Sequence, residues 1–248
     1  MELAYEQKYH ELEANHWWFK TRREAVLRFV QGYDQSRILD VGCASGHLLT
    51  DLESMGFVKS QLFGIDVSEP AISEAQASGF KQTWVMDGSN LTFKDDYFDI
   101  LIASDSLEHM EYDQQALEHW WRVLKPGGTL IVFVPAFMSL WSAHDEVNHH
   151  FRRYTKRSLS TGVMKAGFTI KKSGYWNSTL FPAIAFVRII KRWLSTGKAA
   201  TELEDDLSLP RPVINNVLTR LLRWENTQLH ASWFPFGVST FCIAQKDL

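Results

Sequence analysis

Residues 37–49 combine an apolar strand, a glycine-containing turn and the start of a helix, and this combination limits the fold most. They read Arg-Ile-Leu-Asp-Val-Gly-Cys-Ala-Ser-Gly-His-Leu-Leu, and a second strand-like run, Leu62–Asp66, follows. Gly42 and Gly46 permit positive φ and close approach of a ligand to the backbone. Asp66 ends the second run, where an acidic side chain holds a ribose diol in doubly wound sheets. The pattern predicts a nucleoside-binding βαβ unit; an ordinary crossover is the alternative.

The residues of the turn discriminate between two kinds of nucleoside cofactor. A dinucleotide-binding turn has the pattern G-x-G-x-x-G, which residues 42–47 do not provide. Asp40, two residues before Gly42, would repel a pyrophosphate but attracts a cationic amino-acid group. The segment resembles motif I of class I S-adenosylmethionine-dependent methyltransferases, D/E-x-G-x-G-x-G, and departs from it only at Ala44. Because alanine is small, we expect the turn to admit the methyl donor.

Strand-like runs and helical segments alternate along most of the chain. The alternation predicts a parallel sheet with helices on both faces. The resemblance implies an α/β, Rossmann-like fold with a seven-stranded doubly wound sheet whose last strand is antiparallel. Strands are expected at residues 38–41, 62–65, 83–86, 98–103, 129–134, 168–173 and 239–244.

The length of the chain suits one α/β domain with helical additions. We expect residues 1–248 to form a single methyltransferase domain, with an N-terminal helical cap at 1–33 and a helical insertion or lid at 175–235. A helix is predicted at 180–194. A second helix is predicted after residue 212 from an apolar stripe, which should pack over the sheet edge. The stripe consists of Val213, Val217, Leu221 and Trp224. A surface for a partner is the alternative for this stripe.

Charge and composition exclude several functional classes. The 26 Lys and Arg residues against 29 Asp and Glu residues give a formal net charge of −3, which argues against a nucleic-acid partner. Two cysteines provide neither a disulfide framework nor a metal cluster. The first residues lack a signal-peptide pattern, so a cytoplasmic protein is expected. The apolar run at 180–190 is too short to span a bilayer. A membrane surface or a carrier protein could still contact residues 180–194, and the oligomeric state is left open.

The resemblance places the methyl donor at the carboxyl ends of the first four strands, where ligands bind in open α/β sheets. In this family the acidic residue after the second strand holds the ribose, and the one after the third reaches the adenine amine. The residues implied are Asp40, Gly42, Ala44, Gly46, Asp66, Val67, Asp87, Gly88 and Ser104. Phe19 and Arg22, in an aromatic N-terminal helix, are expected to close over the donor; simple packing is the alternative.

A histidine-rich segment, residues 141–154, follows the fifth strand at the end that should face the acceptor. Its pattern Trp-Ser…His-Asp…His…Arg-Arg-Tyr resembles bacterial class I methyltransferases. A hydroxyl acceptor needs a base, and histidine suits neutral pH. We expect His144 to act as that base, with Asp145 stabilising its imidazolium. His109 should face the transferred methyl, and His149 should bind the acceptor.

The sequence therefore predicts an S-adenosylmethionine-dependent methyltransferase that acts on a small molecule, with oxygen as the favoured acceptor atom. Methylation of nitrogen or of a carboxylate, which needs no base, is an alternative. A donor-binding scaffold or partner subunit without catalysis is another. No metal is expected, because residues 144–150 lack the i, i+4 histidine spacing of a metal-binding helix.

Overall fold

A single sheet organises the computed structural model, which describes residues 12–30, 36–194, 209–231 and 234–248, without the side chains of residues 189 and 191–194. Its strands are β1 (Ile38–Val41), β2 (Leu62–Asp66), β3 (Thr83–Val85), β4 (Phe98–Ser104), β5 (Leu124–Pro135), β6 (Phe168–Trp176) and β7 (Ser239–Lys246). They lie in the order β3-β2-β1-β4-β5-β7-β6. The first five strands are parallel, and β7 is antiparallel to β5 and β6. The predicted Rossmann-like sheet with an antiparallel last strand is confirmed.

Helices cover both faces of this sheet. They are α1 (Trp17–Leu27), α2 (His47–Ser54), α3 (Glu69–Ala77), α4 (Asp113–Val123), α5 (Ala143–Val147), α6 (Lys156–Lys165), α7 (Phe181–Leu194) and α8 (Pro212–Gln228). Residues 12–15 are also helical. Two buried apolar clusters, one on each side of the sheet, form the core. The predicted cap at 1–33 and insertion at 175–235 contain residues outside the described part of the chain.

The register of the parallel strands places the ends of β1, β2 and β4 at one level. Val41, the last residue of β1, pairs with Ile65 in β2 and with Ala103 in β4. All three side chains are buried, so the sheet holds these ends rigidly. The residues that follow each strand leave the sheet at the same edge, which is where ligands bind in folds of this kind.

Helices α1 and α8 pack together through polar side chains. The amide of Asn226 in α8 donates to the Thr21 carbonyl at 2.8 Å, and its oxygen accepts from Trp176 Nε1 at 2.8 Å. On the exposed side, the Arg223 guanidinium pairs with Glu24 at 2.6 Å. The N-terminal helix and the insertion are therefore joined to each other and to β6 at one end of the sheet.

The outward face of α8 differs from the prediction. Val213, Val217 and Trp224 were expected to pack over the sheet edge, with a surface for a partner as the alternative, but these residues are 74%, 58% and 55% exposed. The buried face instead carries Leu222 and the polar residues Thr219, Glu225 and Asn226. Asn226 donates to α1 and Glu225 accepts from the amides of Ser178 and Thr179, whereas Thr219 donates to the Asn215 carbonyl within α8. Hydrogen bonds from polar residues, together with the buried Leu222 side chain, attach this helix, and the apolar stripe reports neither.

Helix α7 exposes apolar side chains to solvent and is also attached to the rest of the protein. Phe186 and Val187 are 65% and 50% exposed, whereas Arg188 donates to the Leu140 carbonyl at 2.7 Å. Within the described residues, no helix has the length and apolar character needed to cross a bilayer. The predicted membrane or carrier contact of 180–194 rests partly on Lys191, Arg192 and Trp193, whose side chains lie outside the described residues.

Replacing Asn226 by alanine tests how much the α1–α8 contact contributes to stability. The change leaves the buried Trp176 N–H without its acceptor, and we expect it to lower the free energy of unfolding by about 2 kcal/mol or more. Urea denaturation of Asn226→Ala and of the exposed Asn216→Ala provides the comparison. The control should stay within about 0.5 kcal/mol of the parent. Equal effects of the two substitutions would contradict a structural role for this contact.

Candidate active site

The turn between β1 and α2 is wound in left-handed backbone conformations. Gly42, Ala44 and Gly46 have φ values of 78°, 45° and 85°. The amides of Gly42 and Cys43 both donate to the Ile65 carbonyl, at 2.8 and 3.0 Å, which fixes the turn against β2. A Cβ on Gly42 would lie 2.9 Å from Cβ of Ser106, so only glycine fits there. Ala44 holds the position of the missing motif glycine at a cost of about 1 kcal/mol in backbone strain.

Asp66 stabilises this turn as well as facing the cavity. Its Oδ2 accepts from the Ala44 amide and its Oδ1 from the Ser68 amide, both at 2.9 Å. A carboxylate has about four acceptor sites, so one such group can bind the turn and a ribose hydroxyl at the same time. The predicted role of Asp66 in holding the ribose stays a prediction.

Asp40, in β1, lies beneath the turn and is enclosed by the protein. The side chain is buried, and burial, with a smaller contribution from the Asp66 and Glu13 carboxylates, raises the pKa of Asp40 to about 8. The free site therefore holds a mainly protonated acid at neutral pH. A ligand cation placed beside it would favour the carboxylate.

The segments after β3 and β4 complete this end of the sheet. Asp87 is exposed, and its Oδ1 accepts from the Ser89 amide and hydroxyl, both at 2.8 Å. Gly88 is tightly packed, because a Cβ there would lie 2.5 Å from Met110 Cε and 2.6 Å from Val41 Cγ1. Its carbonyl accepts from Trp120 Nε1 at 2.9 Å. The site residues after β3 are thus fixed by the packing beneath them.

One large cavity opens at this edge of the sheet, with a volume of about 1020 Å³. Ligand sites for small molecules commonly occupy about 300–1,000 Å³, so the space suits a nucleoside and a second ligand together. The predicted site residues that line it are Phe19, Arg22, Asp40, Gly42, Ala44, Asp66, Val67, Asp87, Gly88, Ser104, His109, His144 and His149. Gly46 and Asp145 are not among its lining residues: Gly46 caps α2, and Asp145 is buried behind the wall.

Arg22 lines the cavity and is held in place by contacts with other side chains. Its Nη2 donates to Asp105 Oδ1 at 3.1 Å and to the Ser239 hydroxyl at 2.6 Å. The guanidinium also lies 4.3 Å from the centre of the Trp176 ring. These contacts connect α1 to the ends of β4 and β7. The predicted pairing of Arg22 with the donor carboxylate stays a prediction.

Asp145 is the centre of a buried ionic group, and its partners differ from those expected. It accepts from Arg153 Nε at 2.7 Å and interacts with His150 Nδ1 at 2.9 Å. Although burial opposes it, hydrogen bonds from His150 and Arg153 hold the pKa of Asp145 well below its usual range. The predicted stabilisation of a His144 imidazolium by Asp145 stays a prediction. The hydrogen-bond partners of Asp145 are His150 and Arg153, and the sequence did not single out His150 as one of them.

His144 and His109 face the cavity as neutral imidazoles. The amide of Asn148 contacts His144 Nδ1 at 3.2 Å, and burial lowers the pKa of His144 to about 4. His109 is accessible from the cavity, yet the surrounding protein, together with His150, lowers its pKa to about 4 as well. His149 lies at the exposed rim with a φ of 54°. His109 and His144 are therefore uncharged at neutral pH, and each can accept a hydrogen bond or bind a ligand through a ring nitrogen.

Glu108 is a site residue that the sequence did not indicate. It lies in the 3-10 turn Leu107–His109 after β4, is completely buried, and contributes to the cavity wall. Burial, with Asp105 nearby, raises the pKa of Glu108 well above its usual range. Its sequence context, Ser-Leu-Glu-His, resembles any amphipathic turn, so no local signal distinguishes it.

Comparison with known proteins identifies the chemistry of the donor end. Residues 39–132 match the family model described as a methyltransferase domain. Over these residues the chain is a methyltransferase domain, and its sheet has the fold of class I, S-adenosylmethionine-dependent methyltransferases. The matched residues contain the β1–α2 turn, Asp66 and Asp87, so the family assignment rests on the part of the chain that forms the donor end of the cavity.

Curated relatives of this methyltransferase domain act on different acceptors. Over 210 residues, the chain is 25% identical to trans-aconitate 2-methyltransferase of Deinococcus radiodurans, covering 83% of the chain and 75% of that protein. It is 36% identical over 117 residues to the O-methyltransferase resE of Aspergillus sclerotiorum, covering 44% and 43%. A probable tRNA methyltransferase 9B of Bos taurus shares 32% identity, but the match spans 48% of this chain and 24% of that protein.

Solved structures support the fold. The chain that binds the Haloferax volcanii Trm112 methyltransferase activator in their complex superimposes with a TM-score of 0.65, covering 99% of this chain and 95% of that one. Its sequence identity is 19%, so the likeness concerns the fold alone. The architecture, including the helices outside the sheet, is therefore one that methyltransferase chains adopt.

The residues at the donor end fit S-adenosylmethionine. Three carboxylates, Asp40, Asp66 and Asp87, line the same part of the cavity. Carboxylates accept hydrogen bonds from hydroxyls and amines and attract cations, which is the set of groups that this donor presents. A pyrophosphate would meet like charge at Asp66 and Asp87.

Substitution of Asp66 tests the donor site. Asp66→Ala should weaken S-adenosylhomocysteine binding by about 1.5–3 kcal/mol, because hydrogen bonds to a charged acceptor are lost. Asp95→Asn, on the surface away from the cavity, serves as the control and should bind as the parent does. Isothermal titration calorimetry measures both, with circular dichroism to establish folding. Parent-like affinity in folded Asp66→Ala would refute the assignment.

The raised pKa of Asp40 predicts a pH dependence. At about pH 7 the free site binds a proton that a ligand ammonium displaces, so donor binding should release protons and tighten as the pH rises from about 6 to about 7.5. The same shift makes the ligand-free fold less stable as the pH rises from about 4 to about 8, since the unfolded chain has already lost this proton. Calorimetry with S-adenosylhomocysteine in two buffers of different ionisation enthalpy measures the release. Asp40→Asn should abolish it, and proton uptake by the parent would contradict the assignment.

Proposed function

We propose that the protein transfers a methyl group from S-adenosylmethionine to a small-molecule acceptor, with oxygen as the acceptor atom. The observation that carries this proposal is one cavity lined at one end by the Gly42–Gly46 turn and Asp66, and at the other by neutral imidazoles. When bound, S-adenosylmethionine supplies an electrophilic methyl group. The remaining tasks fall to side chains of the chain itself.

The donor end orients its ligand through carboxylates and aromatic contacts. Asp66 would hold the ribose and Asp40 the ammonium, and Asp87 would accept from the adenine amine. Phe19 of α1 lines the same cavity, and we assign it to closing over the donor. Because transfer is an in-line displacement, fixing the donor relative to the acceptor supplies much of the rate.

The acceptor end favours oxygen because it offers a base. An alcohol or phenol must lose its proton as it attacks, whereas a neutral amine or a carboxylate need not. His144 lines the cavity, is neutral at pH 7, and is oriented by Asn148, so we assign it as the proton acceptor. His109 and His149 provide further contacts for the acceptor. Asp145, which lies behind the wall, acts as a positioning residue for His150 and Arg153.

A small molecule is the favoured acceptor because helices roof the cavity. Ala183, Ile184 and Val187 of α7 and Leu218 of α8 contribute to its lining. We propose that α1, as an N-terminal cap, and the insertion containing α7 and α8, as a lid, belong to one domain with the sheet. A formal charge of −3 offers little attraction for a polynucleotide.

Replacing His144 tests the acceptor assignment. An acceptor is first found by screening phenols, alcohols, amines and carboxylic acids for S-adenosylhomocysteine release. With a hydroxyl acceptor, His144→Ala should lower kcat by about 10²–10⁴-fold while leaving the affinity for the donor unchanged. The exposed His230→Ala, outside the cavity, should retain the parent rate.

Two results would count against this assignment. A kcat for His144→Ala within about threefold of the parent would remove the base and favour methylation of nitrogen or of a carboxylate. Donor binding without methyl transfer to any acceptor class would favour a binding scaffold.

A further inference from the structure

Glu108 is a buried acid whose side chain has no hydrogen-bond partner among the described residues. Its side chain is completely buried, and neither carboxylate oxygen accepts a hydrogen bond from another residue in the described part of the chain. Burying a carboxylate without a partner is strongly unfavourable, and buried charges in proteins are paired or coordinate metals. Glu108 lines the cavity, so a partner can reach it from there.

The charged neighbours of Glu108 are already paired with one another. Arg22 binds Asp105 at 3.1 Å, and Arg153 binds Asp145 at 2.7 Å. Each pair has a guanidinium that is at most 3% exposed. Two positive and two negative charges cancel, so ionisation of Glu108 would leave a negative charge without a counter-ion among these residues. A cation is therefore the partner that would balance the group.

Two imidazoles lie beside the Glu108 carboxylate. One potential ligand atom each from Glu108, His109 and His150 lies within 4.8 Å of the other two, and the two ring centres are 4.6 Å apart. His150 Nδ1 is held by Asp145 at 2.9 Å, which leaves Nε2 as the nitrogen for a ligand. A histidine fixed by a carboxylate through its other nitrogen is the usual arrangement at protein metal centres.

We propose that Glu108, His109 and His150 bind a divalent transition-metal ion at the acceptor end of the cavity. Two imidazole nitrogens and one carboxylate oxygen form a known ligand set for Zn²⁺ and Fe²⁺, and such sites leave coordination positions open. Those positions would face the space assigned to the acceptor, where a bound ion would lower the pKa of a coordinated hydroxyl. The site replaces the expectation of a metal-free protein, and it does not depend on which atom is methylated.

Metal titration of the full chain tests this inference without donor or acceptor. The protein is stripped with a chelator, dialysed and titrated with Co²⁺, whose visible d–d bands report nitrogen and oxygen coordination. One equivalent should bind, and Zn²⁺ should displace it. Glu108→Gln, which keeps the side-chain shape, and His150→Gln should each weaken binding by about 100-fold or more. His149→Gln, from the same loop, should retain binding of Co²⁺.

The outcomes separate a metal site from a buried acid. Absence of a Co²⁺ spectrum, or equal binding by the parent, Glu108→Gln and His150→Gln, overturns the inference and leaves Glu108 as a protonated carboxylic acid. If one variant fails to fold, His109→Gln supplies the same comparison. Because the readout is metal binding alone, a protein without methyltransferase activity could still pass this test, and an active one could fail it.

Discussion

The level alignment of the ends of β1, β2 and β4 is the constraint on which the rest of the site depends. Parallel pairing of Val41 with Ile65 and Ala103 brings a glycine turn, an acidic residue and a 3-10 turn to one edge. Each segment is short and could not hold its conformation alone. Hydrogen bonds from the turn to the Ile65 carbonyl tie the donor end to the sheet, so the fold itself arranges the carboxylates.

Buried ion pairs perform the corresponding task at the acceptor end. Arg153 and Asp145 hold the histidine-rich loop together, and Arg22 connects α1 to Asp105 beside it. Such pairs contribute little net stability, but breaking one leaves an uncompensated buried charge. Their effect is to fix the orientation of the loop. The donor and acceptor ends consequently share one cavity although they come from distant parts of the chain.

The sequence predicts the donor end better than the acceptor end. The strand–turn–helix pattern around Gly42 and the position of Asp66 are local signals, and the structure has both. The pairing of Asp145 with His150 and the closeness of Glu108 to His150 depend on how a loop folds back on the sheet, which no periodicity reports. The exposed stripe at Val213 and Trp224 shows the same limit, because polar contacts determine which face of α8 is buried.

A crystal structure of the full chain with S-adenosylhomocysteine bound tests the central claim most directly. We predict that the ribose hydroxyls bind Asp66 and that the sulfur is directed along the cavity toward His109 and His144. A ligand whose sulfur is directed away from these histidines would contradict the central claim. So would a ligand bound outside the cavity that lies between α1 and the strand ends.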